Sequence, residues 1–246
     1  MNSRTLSIII PTYNEEDTIR KMLLEFEPVI DNLVLNGWKM IEVIVADGGS
    51  IDNTVQIAKS FAFKNAETKV YSPPERVKLT KGQAIDTGVK LAKGEIILFI
   101  DADLEIHPRY IPELLEPIEK GMDLSIGSRI ANANKIVLSK LPHRMLSMLF
   151  NVLFRMLFKM DLRDTQCGFK AFRKQVWLDT MKKVITQNYT FDTEFIVTAI
   201  RKNYKVATVI VPSTWRYAGV SKVNLYHRLL MLTDLFKIAI FLKRKF

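Results

Sequence analysis

Short runs of Ile, Val, Leu and Phe alternate with segments of helical periodicity through the first 100 residues. Each apolar run ends in a polar turn, which is typical of a buried strand. The predicted strands are 6–10 (LSIII), 41–46 (IEVIVA), 69–72 (KVYS) and 95–100 (EIILFI). The predicted helices are 16–33, with Asn14 as its cap, 52–63 and 83–92. This alternation favours an α/β fold in which crossover helices join parallel strands.

A different pattern follows residue 122. The stretch DLSIGSR predicts a strand and a turn, and two long apolar segments come after it, 145–158 and 225–246. Neither has the ~20 uninterrupted apolar residues that span a bilayer. Because basic residues interrupt their apolar clusters, we predict two amphipathic helices that lie in a membrane interface. Packing of the apolar face of 145–158 into the core is the alternative that the pattern leaves open.

No repeat, low-complexity tract or Gly/Ser linker interrupts the chain, so we expect one domain over 1–246. With 48% hydrophobic and 25% charged residues, the composition excludes wholesale disorder. The formal net charge of +10 favours an anionic partner. Nucleic acid, anionic lipid headgroups and phosphorylated small molecules all fit that charge.

The single cysteine, Cys167, excludes an intrachain disulfide and a multi-cysteine zinc site. We therefore expect a reducing, intracellular compartment. The start of the chain lacks the long apolar stretch and the cleavage site of a signal peptide. His107, His143 and His227 have no spacing typical of zinc or of a catalytic triad, and we predict that they are structural or surface residues.

Polar motifs stand at the ends of three predicted strands. They are PTYNE (11–15), DGGS (47–50) and DAD (101–103). Open α/β sheets bind ligands beyond the carboxyl ends of their strands. The sequence therefore predicts that these motifs converge on one binding site.

Asp101 and Asp103 are separated by one residue directly after a buried strand. Two such carboxylates can share a divalent cation, and oxygen ligands suit Mg²⁺ or Mn²⁺, which in turn bind substrate phosphates. Glu105 continues the spacing and is a candidate third ligand. An isolated D-x-D is more often a solvated turn, but the other two motifs favour the metal site here.

Asp47 stands beside a glycine turn where a ligand can approach the backbone. It is a candidate acceptor for the N3–H of a uracil or the N1–H of a guanine. The alternative is that Asp47 and Ser50 only cap the next helix. A nucleotide diphosphate among these carboxylates also requires cations, and the candidates besides a metal are Arg76, Lys78, Lys81 and Lys222.

Arg129, Arg144 and Arg163 bracket the apolar segment 145–158. Basic residues beside an interfacial helix can bind a lipid phosphate while the apolar tail stays in the bilayer. Snorkelling of these arginines at the edge of a buried helix is the alternative.

Several ordered segments resemble glycosyltransferase family 2, and within it the dolichyl-phosphate β-glucosyltransferases and mannosyltransferases. They are PTYNEE, VIVADGGSIDNT, GEIILFIDAD, RDTQCGFKAF (163–172), FDTEF (191–195) and WRYAGVSKV (215–223). The resemblance implies an A-type glycosyltransferase fold and a nucleotide-diphospho-sugar donor. It divides the domain into a nucleotide-sugar-binding half, 1–130, and an acceptor- and membrane-facing half, 131–246.

The resemblance also assigns roles by position. Pro11, Tyr13, Glu15 and Asp47 would line the nucleotide pocket, and Asp101 and Asp103 would hold the metal and the diphosphate. Arg129 and Arg144 would face the acceptor phosphate. Ser221 and Lys222 would belong to a loop that closes over the donor. Asp192 and Glu194 lie where inverting relatives place their acidic catalytic group.

The implied reaction is inverting transfer of a hexose to a polyprenyl (dolichyl) phosphate by a peripheral protein on the cytoplasmic face of a membrane. DADLEIHP resembles the mannosyltransferase pattern, whereas RDTQCGFK resembles the glucosyltransferase one. UDP-glucose and GDP-mannose therefore both remain candidates for the sugar donor. One alternative is elongation of a glycan on a sugar hydroxyl, with Asp192 or Glu194 as the base. A silent nucleotide-sugar-binding subunit is another. No motif supports a specific nucleic-acid partner, and the oligomeric state is open.

Overall fold

A computed structural model describes residues 4–130, 141–162, 164–182, 185–186, 190–213 and 225–245. In these residues seven strands form one sheet in the order β3-β2-β1-β4-β6-β5-β7. The strands are β1 Thr5–Thr12, β2 Lys39–Asp47, β3 Glu67–Tyr71, β4 Ile96–Ile100, β5 Leu124–Ile130, β6 Phe169–Arg173 and β7 Val206–Pro212. The first four strands are parallel neighbours, and β6 runs antiparallel between β4 and β5.

Eight α-helices connect and cover these strands in the described residues. They are α1 Glu16–Leu35, α2 Thr54–Lys59, α3 Lys81–Leu91, α4 Ile111–Glu119, α5 Leu141–Phe158, α6 Lys174–Thr180, α7 Phe191–Arg201 and α8 Leu225–Lys245. A 3₁₀ turn, Pro108–Tyr110, precedes α4.

Both faces of the sheet are covered, which explains why the central strands are continuous apolar runs. Ile8 and Ile10 belong to a core on one face, together with residues of α1 and α4. Ile9 points to the opposite face, where α3, α6 and α7 pack. The predicted α/β class with mostly parallel strands is confirmed.

Three details of the predicted elements were wrong. The second helix is shorter than 52–63, and the third begins at Lys81 because a capping box between Thr80 and Gln83 starts it there. Asn14 does not cap α1, since its φ is 52° and its side chain accepts a hydrogen bond from the amide of Ile51 instead. Asn14 therefore ties the loop after β1 to the loop after β2.

The two apolar segments form a helix pair. Phe150, Phe154 and Phe158 of α5 pack against α8 and are buried with residues of it, Leu235, Ile238 and Leu242. The opposite surface of α5 remains exposed, with Met148, Leu149, Val152 and Met156. The core alternative for 145–158 thus holds for one face only. None of the helices in the described residues is long and apolar enough to cross a bilayer.

Candidate active site

The three polar motifs meet at one edge of the sheet, as predicted. β1 and β2 run in register to their ends, where Thr12 is paired with Asp47, and the amide of Gly48 donates to the carbonyl of Thr12 over 2.8 Å. β4 pairs with β1 on the other side and ends directly before Asp101. The carboxyl ends of three parallel strands thereby bring the motifs together.

Asp47 is fully buried, and both of its carboxylate oxygens accept hydrogen bonds from the protein. Oδ1 accepts from the hydroxyls of Thr12 and Ser50, at 3.2 and 2.5 Å. Oδ2 accepts from the amides of Gly49 and Ser50, each at 2.9 Å, and from the hydroxyl of Ser72. The carboxylate of Asp47, which the sequence analysis named as a candidate nucleobase acceptor, therefore stabilises this turn through its hydrogen bonds. It does not cap α2, because Asp52 accepts from the amide of Thr54 there.

The loop before α3 lies directly on the glycine turn. The amide of Leu79 donates to the carbonyl of Gly48, and a Cβ on Gly49 would stand only 2.4 Å from the carbonyl oxygen of Val77. Gly49 has a φ of 95°, which other residues rarely adopt. This contact places Lys78 and Lys81 near the carboxyl ends of the strands. The ammonium of Lys78 lies 5.7 Å from the centre of the Tyr13 ring.

The other predicted nucleotide-pocket residues surround the same turn. Pro11 is buried in β1 opposite Ala46. Tyr13 and Glu15 are half-buried, and the backbone amide of Glu15 donates to the hydroxyl of Thr54 over 2.7 Å. The side chain of Glu15 accepts from Thr18.

Asp101 faces Lys81, the first residue of α3, which is the helix that precedes β4 in the chain. The ammonium of Lys81 lies 2.6 Å from Oδ1 and 2.8 Å from Oδ2 of Asp101. Burial opposes the charge on Lys81, but the attraction of Asp101, Asp192 and Asp103 outweighs it and raises the pKa of the ammonium. Lys81 is therefore protonated at neutral pH and forms an ion pair with Asp101.

Asp103 lies beside Asp101 in a less favourable environment for a charge. Burial, followed by the negative charge of Asp101, raises the pKa of Asp103 to about 6. Asp101, Asp103 and Glu105 line a small open cleft together with Ile100, Ile106 and Gly168. Two carboxylates crowded in one cleft fit a divalent cation, since an ion placed between them would remove their repulsion.

Glu105 is turned toward Arg129 rather than joining the two aspartates. Its Oε2 lies 2.7 Å from Nη1 of Arg129. In the described residues, no three His, Cys, Asp or Glu side chains are grouped so that they could hold a metal ion. The predicted three-carboxylate set is therefore not assembled, and a metal on Asp101 and Asp103 would take its other ligands from substrate or water.

Arg129 is held by a second carboxylate that the sequence analysis missed. Asp164 accepts from Nε and Nη2 of Arg129 over 2.7 and 2.9 Å, and also from its amide. Burial opposes the charge on Asp164, but Arg129 outweighs it and lowers the pKa of Asp164 below its usual range. This paired geometry fixes the plane of the guanidinium.

Gly168 is a second residue that the sequence analysis did not single out. A Cβ at this position would stand 1.9 Å from Oδ2 of Asp101, and the carbonyl of Gly168 accepts the amide of Asp101 over 3.0 Å. No side chain fits between this backbone and the carboxylate. The glycine of RDTQCGFK therefore makes the room in which Asp101 sits.

Asp192 and Glu194 diverge from each other, although both are buried at the start of α7. Oδ1 of Asp192 lies 2.6 Å from the ammonium of Lys170, which is itself fully buried and also donates to the carbonyl of Cys167. Burial raises the pKa of Asp192 against the attraction of Lys170 and Lys81. Glu194 instead accepts from the amides of Ile185 and Thr186, so it holds the chain before α7.

Several predicted residues lie outside the described part of the chain. Arg163, Ser221 and Lys222 belong to this group, and of Arg144 only the position in α5 is described. Among the histidines, His107 accepts the amide of Arg109 at Nδ1 and contacts Glu25 through Nε2, at 3.1 Å each. These contacts agree with the structural role that we predicted for His107.

The chain matches the family described as Glycosyl transferase family 2 over residues 7–179. It is 30% identical over 226 residues to "Glycosyltransferase AglD" of Haloferax volcanii. The aligned region covers 92% of this chain but only 35% of that protein. It is 30% identical to "Dolichyl-phosphate beta-glucosyltransferase ALG5C" of Trichomonas vaginalis, covering 96% of this chain and 71% of that protein. The relative ALG5D of the same organism is 29% identical, with coverages of 96% and 73%.

Solved structures of glucosyl-3-phosphoglycerate synthase from Mycobacterium tuberculosis are similar in fold. The complex with Mn²⁺, uridine diphosphate and glucosyl-3-phosphoglycerate gives a TM-score of 0.69 at 20% identity, over 96% of this chain and 80% of that one. The complex with Mn²⁺, UDP-glucose and phosphoglyceric acid gives 0.71 at 21% identity, with the same coverages. At this level of identity the likeness establishes the A-type glycosyltransferase fold.

Proposed function

The chain belongs to glycosyl transferase family 2, and from that premise we propose that it transfers a hexose from a nucleotide-diphospho-sugar to a polyprenyl (dolichyl) phosphate at a membrane surface. The observation that carries the proposal is the meeting of three polar motifs at the carboxyl ends of β1, β2 and β4. Asp101 and Asp103 line a cleft there, and Lys81 contacts Asp101 beside it. The relatives named dolichyl-phosphate β-glucosyltransferases, similar over 96% of this chain, support the lipid phosphate as acceptor.

The donor nucleotide occupies the turn region formed by Pro11, Tyr13, Glu15 and Asp47, and its diphosphate extends toward Asp101 and Asp103. The names of the relatives and the UDP-glucose bound by the mycobacterial enzyme favour UDP-glucose over GDP-mannose. Following the family resemblance, we also assign Ser221 and Lys222 to the donor side. Lys81 supplies a cation at the diphosphate.

Asp101 and Asp103 would hold Mg²⁺ or Mn²⁺, which the mycobacterial enzyme binds together with uridine diphosphate. When bound, the ion neutralises the negative charge that develops on the departing nucleoside diphosphate. Glu105 is paired with Arg129, so the diphosphate and water would supply the further oxygen ligands. The protein's own part is to hold both aspartates at the end of β4.

The acceptor phosphate attacks the anomeric carbon from the face opposite the leaving group. A bond forms between that carbon and a phosphate oxygen, and the bond to the nucleoside diphosphate breaks, so an α-linked donor gives a β-linked product. Arg129 orients the acceptor phosphate, assisted by Arg144 and Arg163. Asp164 keeps the guanidinium of Arg129 in place by its two hydrogen bonds.

The nature of Asp192 favours a phosphate acceptor over the sugar hydroxyl of a growing glycan. A hydroxyl needs a general base, whereas a phosphate is already ionised near neutral pH. Asp192 is buried and bound to Lys170, and Glu194 is bound to two backbone amides. Both arrangements suit positioning of neighbouring groups better than abstraction of a proton.

The helix pair α5–α8 forms the membrane-facing surface in this proposal. It exposes large apolar side chains, namely Met148, Leu149, Val152, Met156, Leu229, Phe236 and Ile240. Exposed basic residues accompany them, including Arg155, Lys237 and Lys243. Apolar contact with the acyl region and attraction to anionic headgroups would hold the protein peripherally on the cytoplasmic face.

A transfer assay with radiolabelled sugars tests this function. UDP-glucose and GDP-mannose are compared with Mg²⁺ or Mn²⁺ on membranes that contain polyprenyl phosphates. We expect acid-labile label in the organic phase with UDP-glucose. Label that appears only in water-soluble or insoluble glycan would support the elongating alternative, and absence of transfer from either donor would contradict the proposal.

A further inference from the structure

Lys81 occupies a position that helix stability does not explain. It is the first residue of α3, directly after the capping residue Thr80. The amino end of a helix carries a partial positive charge and favours anions, so a lysine there is placed against the helix dipole. The compensating interaction is the contact with both carboxylate oxygens of Asp101, which lies 20 residues further along the chain.

The anchoring of Lys81 limits how far its ammonium can travel. The amide of Gln83 donates to the hydroxyl of Thr80, and the side chain of Gln83 accepts the amide of Thr80 in return. This capping box fixes the first turn of α3, and Gly82, Ala84 and Ile85 are buried beneath it. With this turn held in place, rotation of the lysine side chain alone would move the ammonium from Asp101 to a nearby ligand.

The contact between Lys81 and Asp101 also opposes a bare metal ion. A divalent cation on Asp101 would have to displace the ammonium of Lys81, whose side chain is only 25% exposed, or bind next to it. A divalent cation and an ammonium that share one carboxylate repel each other strongly when they are not surrounded by bulk water. A donor diphosphate changes this balance because it offers the ammonium a second anion at the end of the same helix, where backbone amides also favour phosphate.

We propose that Lys81 is an internal counter-ion of Asp101: it occupies the carboxylate while the donor is absent and turns to the donor diphosphate when the metal binds. Metal and donor binding are thereby coupled, since each is favoured once the other is present. This inference rests on the proposed function, of which it specifies the order of assembly. Lys81 is a positioning residue for the metal as well as a ligand of the donor.

Direct measurement of Mn²⁺ binding, by the electron paramagnetic resonance signal of the free ion, tests the inference without any transfer reaction. In Lys81→Met we expect Mn²⁺ alone to bind at least about tenfold more tightly than in the wild type, because the competing ammonium is gone. We expect Lys81→Arg, which keeps the charge, to stay close to the wild type. Lys90→Met removes the same charge from the same helix at an exposed pair with Asp86 and should also change nothing.

The outcomes separate the inference from the proposed function. If Mn²⁺ alone binds to Lys81→Met no more tightly than to the wild type, while UDP or GDP promotes Mn²⁺ binding to the wild type, the counter-ion role is wrong and the metal-dependent function stands. If neither nucleotide promotes Mn²⁺ binding to the wild type, both are wrong. Circular dichroism checks the fold of each variant, and Lys81→Gln, with the same expected tightening, replaces Lys81→Met where the latter does not fold.

Discussion

Asp101 and Asp103 lie one residue apart, but their surroundings differ. Asp101 has Lys81 against both oxygens, whereas Asp103 accepts the amide of Glu105 over 2.9 Å and is half-buried beside the charge of Asp101. Lys81 thus stabilises one carboxylate more than the other. The unbalanced negative charge lies at Asp103, where a divalent cation would gain most.

Replacement of Asp103 tests this assignment. We expect Asp103→Asn to lower kcat/KM at least about 100-fold, because the amide keeps the shape but loses the charge that binds a divalent cation. Glu113→Gln removes a carboxylate from the first turn of α4 and should leave transfer unchanged. Transfer rates over a range of Mn²⁺ concentrations measure the effect, and a near-normal rate in Asp103→Asn would remove the metal from this residue.

Gly168 gives a second prediction at the scale of one residue. In Gly168→Ala the added methyl group would stand 1.9 Å from Oδ2 of Asp101, so the carboxylate must move. We expect transfer to fall at least about tenfold, since displacement of a catalytic group by about 1 Å has large effects on rate.

Gly121→Ala is a suitable control for Gly168→Ala. Gly121 has a φ of 93° but no atom within 4 Å of an added Cβ, so alanine there strains the backbone without touching the cleft. We expect this control to lose about 1 kcal/mol of stability and to keep its activity. Thermal unfolding and transfer rates, measured on both variants, separate the two effects. Equal activity losses would show that Gly168 acts through stability alone.

At the scale of elements, a buried carboxylate joins three strands at the end of the sheet opposite the cleft. Glu42 of β2 is 1% exposed and accepts hydrogen bonds from Ser7 of β1, from Lys69 of β3 and from the amide of Lys93 before β4. Burial opposes its charge, but these partners outweigh it and lower the pKa of Glu42 below its usual range.

The lowered pKa of Glu42 predicts how stability depends on pH. Because the folded pKa lies below the unfolded one, the ionised carboxylate favours folding, and this contribution is present above the unfolded pKa and lost as pH falls through the folded value. We expect Glu42→Gln to lose about 1–3 kcal/mol at pH 7 and to show a weaker loss of stability on acidification. Urea unfolding at pH 7 and pH 4 measures both. The same acid sensitivity in the variant as in the wild type would contradict the assignment.

The helix pair α5–α8 has two surfaces with different expected roles. In Met148→Ser/Val152→Ser/Met156→Ser, exposed apolar groups are lost, and we expect at least about fivefold weaker binding to anionic liposomes with little change in unfolding. Phe154 is 1% exposed within the pair, so Phe154→Ala should cost about 3–5 kcal/mol. Co-sedimentation with liposomes and thermal unfolding distinguish the surfaces. Unchanged liposome binding of the triple variant would exclude this face of α5 from the membrane.

At the scale of the whole molecule, one sheet is shared by both cores. Trp38 lies in the core on the α1 face, and Trp177 lies in the core on the α3 face. The same strands form the floor of both cores, so if the strands separate, both cores are exposed to water. We therefore expect the two cores to unfold together, as one domain over 1–246 requires. Fluorescence of Trp38→Phe and of Trp177→Phe, each followed in urea, should give coincident midpoints. Separate transitions would indicate that the two cores unfold independently.

The sequence by itself determined the α/β architecture and the place of the cleft. Strands with two buried faces, such as 6–10 and 41–46, are continuous apolar runs, and this local pattern is visible without a structure. Parallel strands also end at a common edge, so the polar residues after β1, β2 and β4 had to meet. The family resemblance of RDTQCGFK and the other ordered motifs agrees with the match to glycosyl transferase family 2 and with the dolichyl-phosphate β-glucosyltransferase relatives.

Only the tertiary structure decided which charged groups face each other in and around the cleft. Lys81 meets Asp101, Glu105 and Asp164 hold Arg129, and Lys170 holds Asp192. The partners in these pairs come from different elements, 20 to 35 residues apart along the chain. Spacing along the sequence shows which carboxylates share a turn. It does not show which side chain crosses to them, because that depends on how the helices and strands pack against one another.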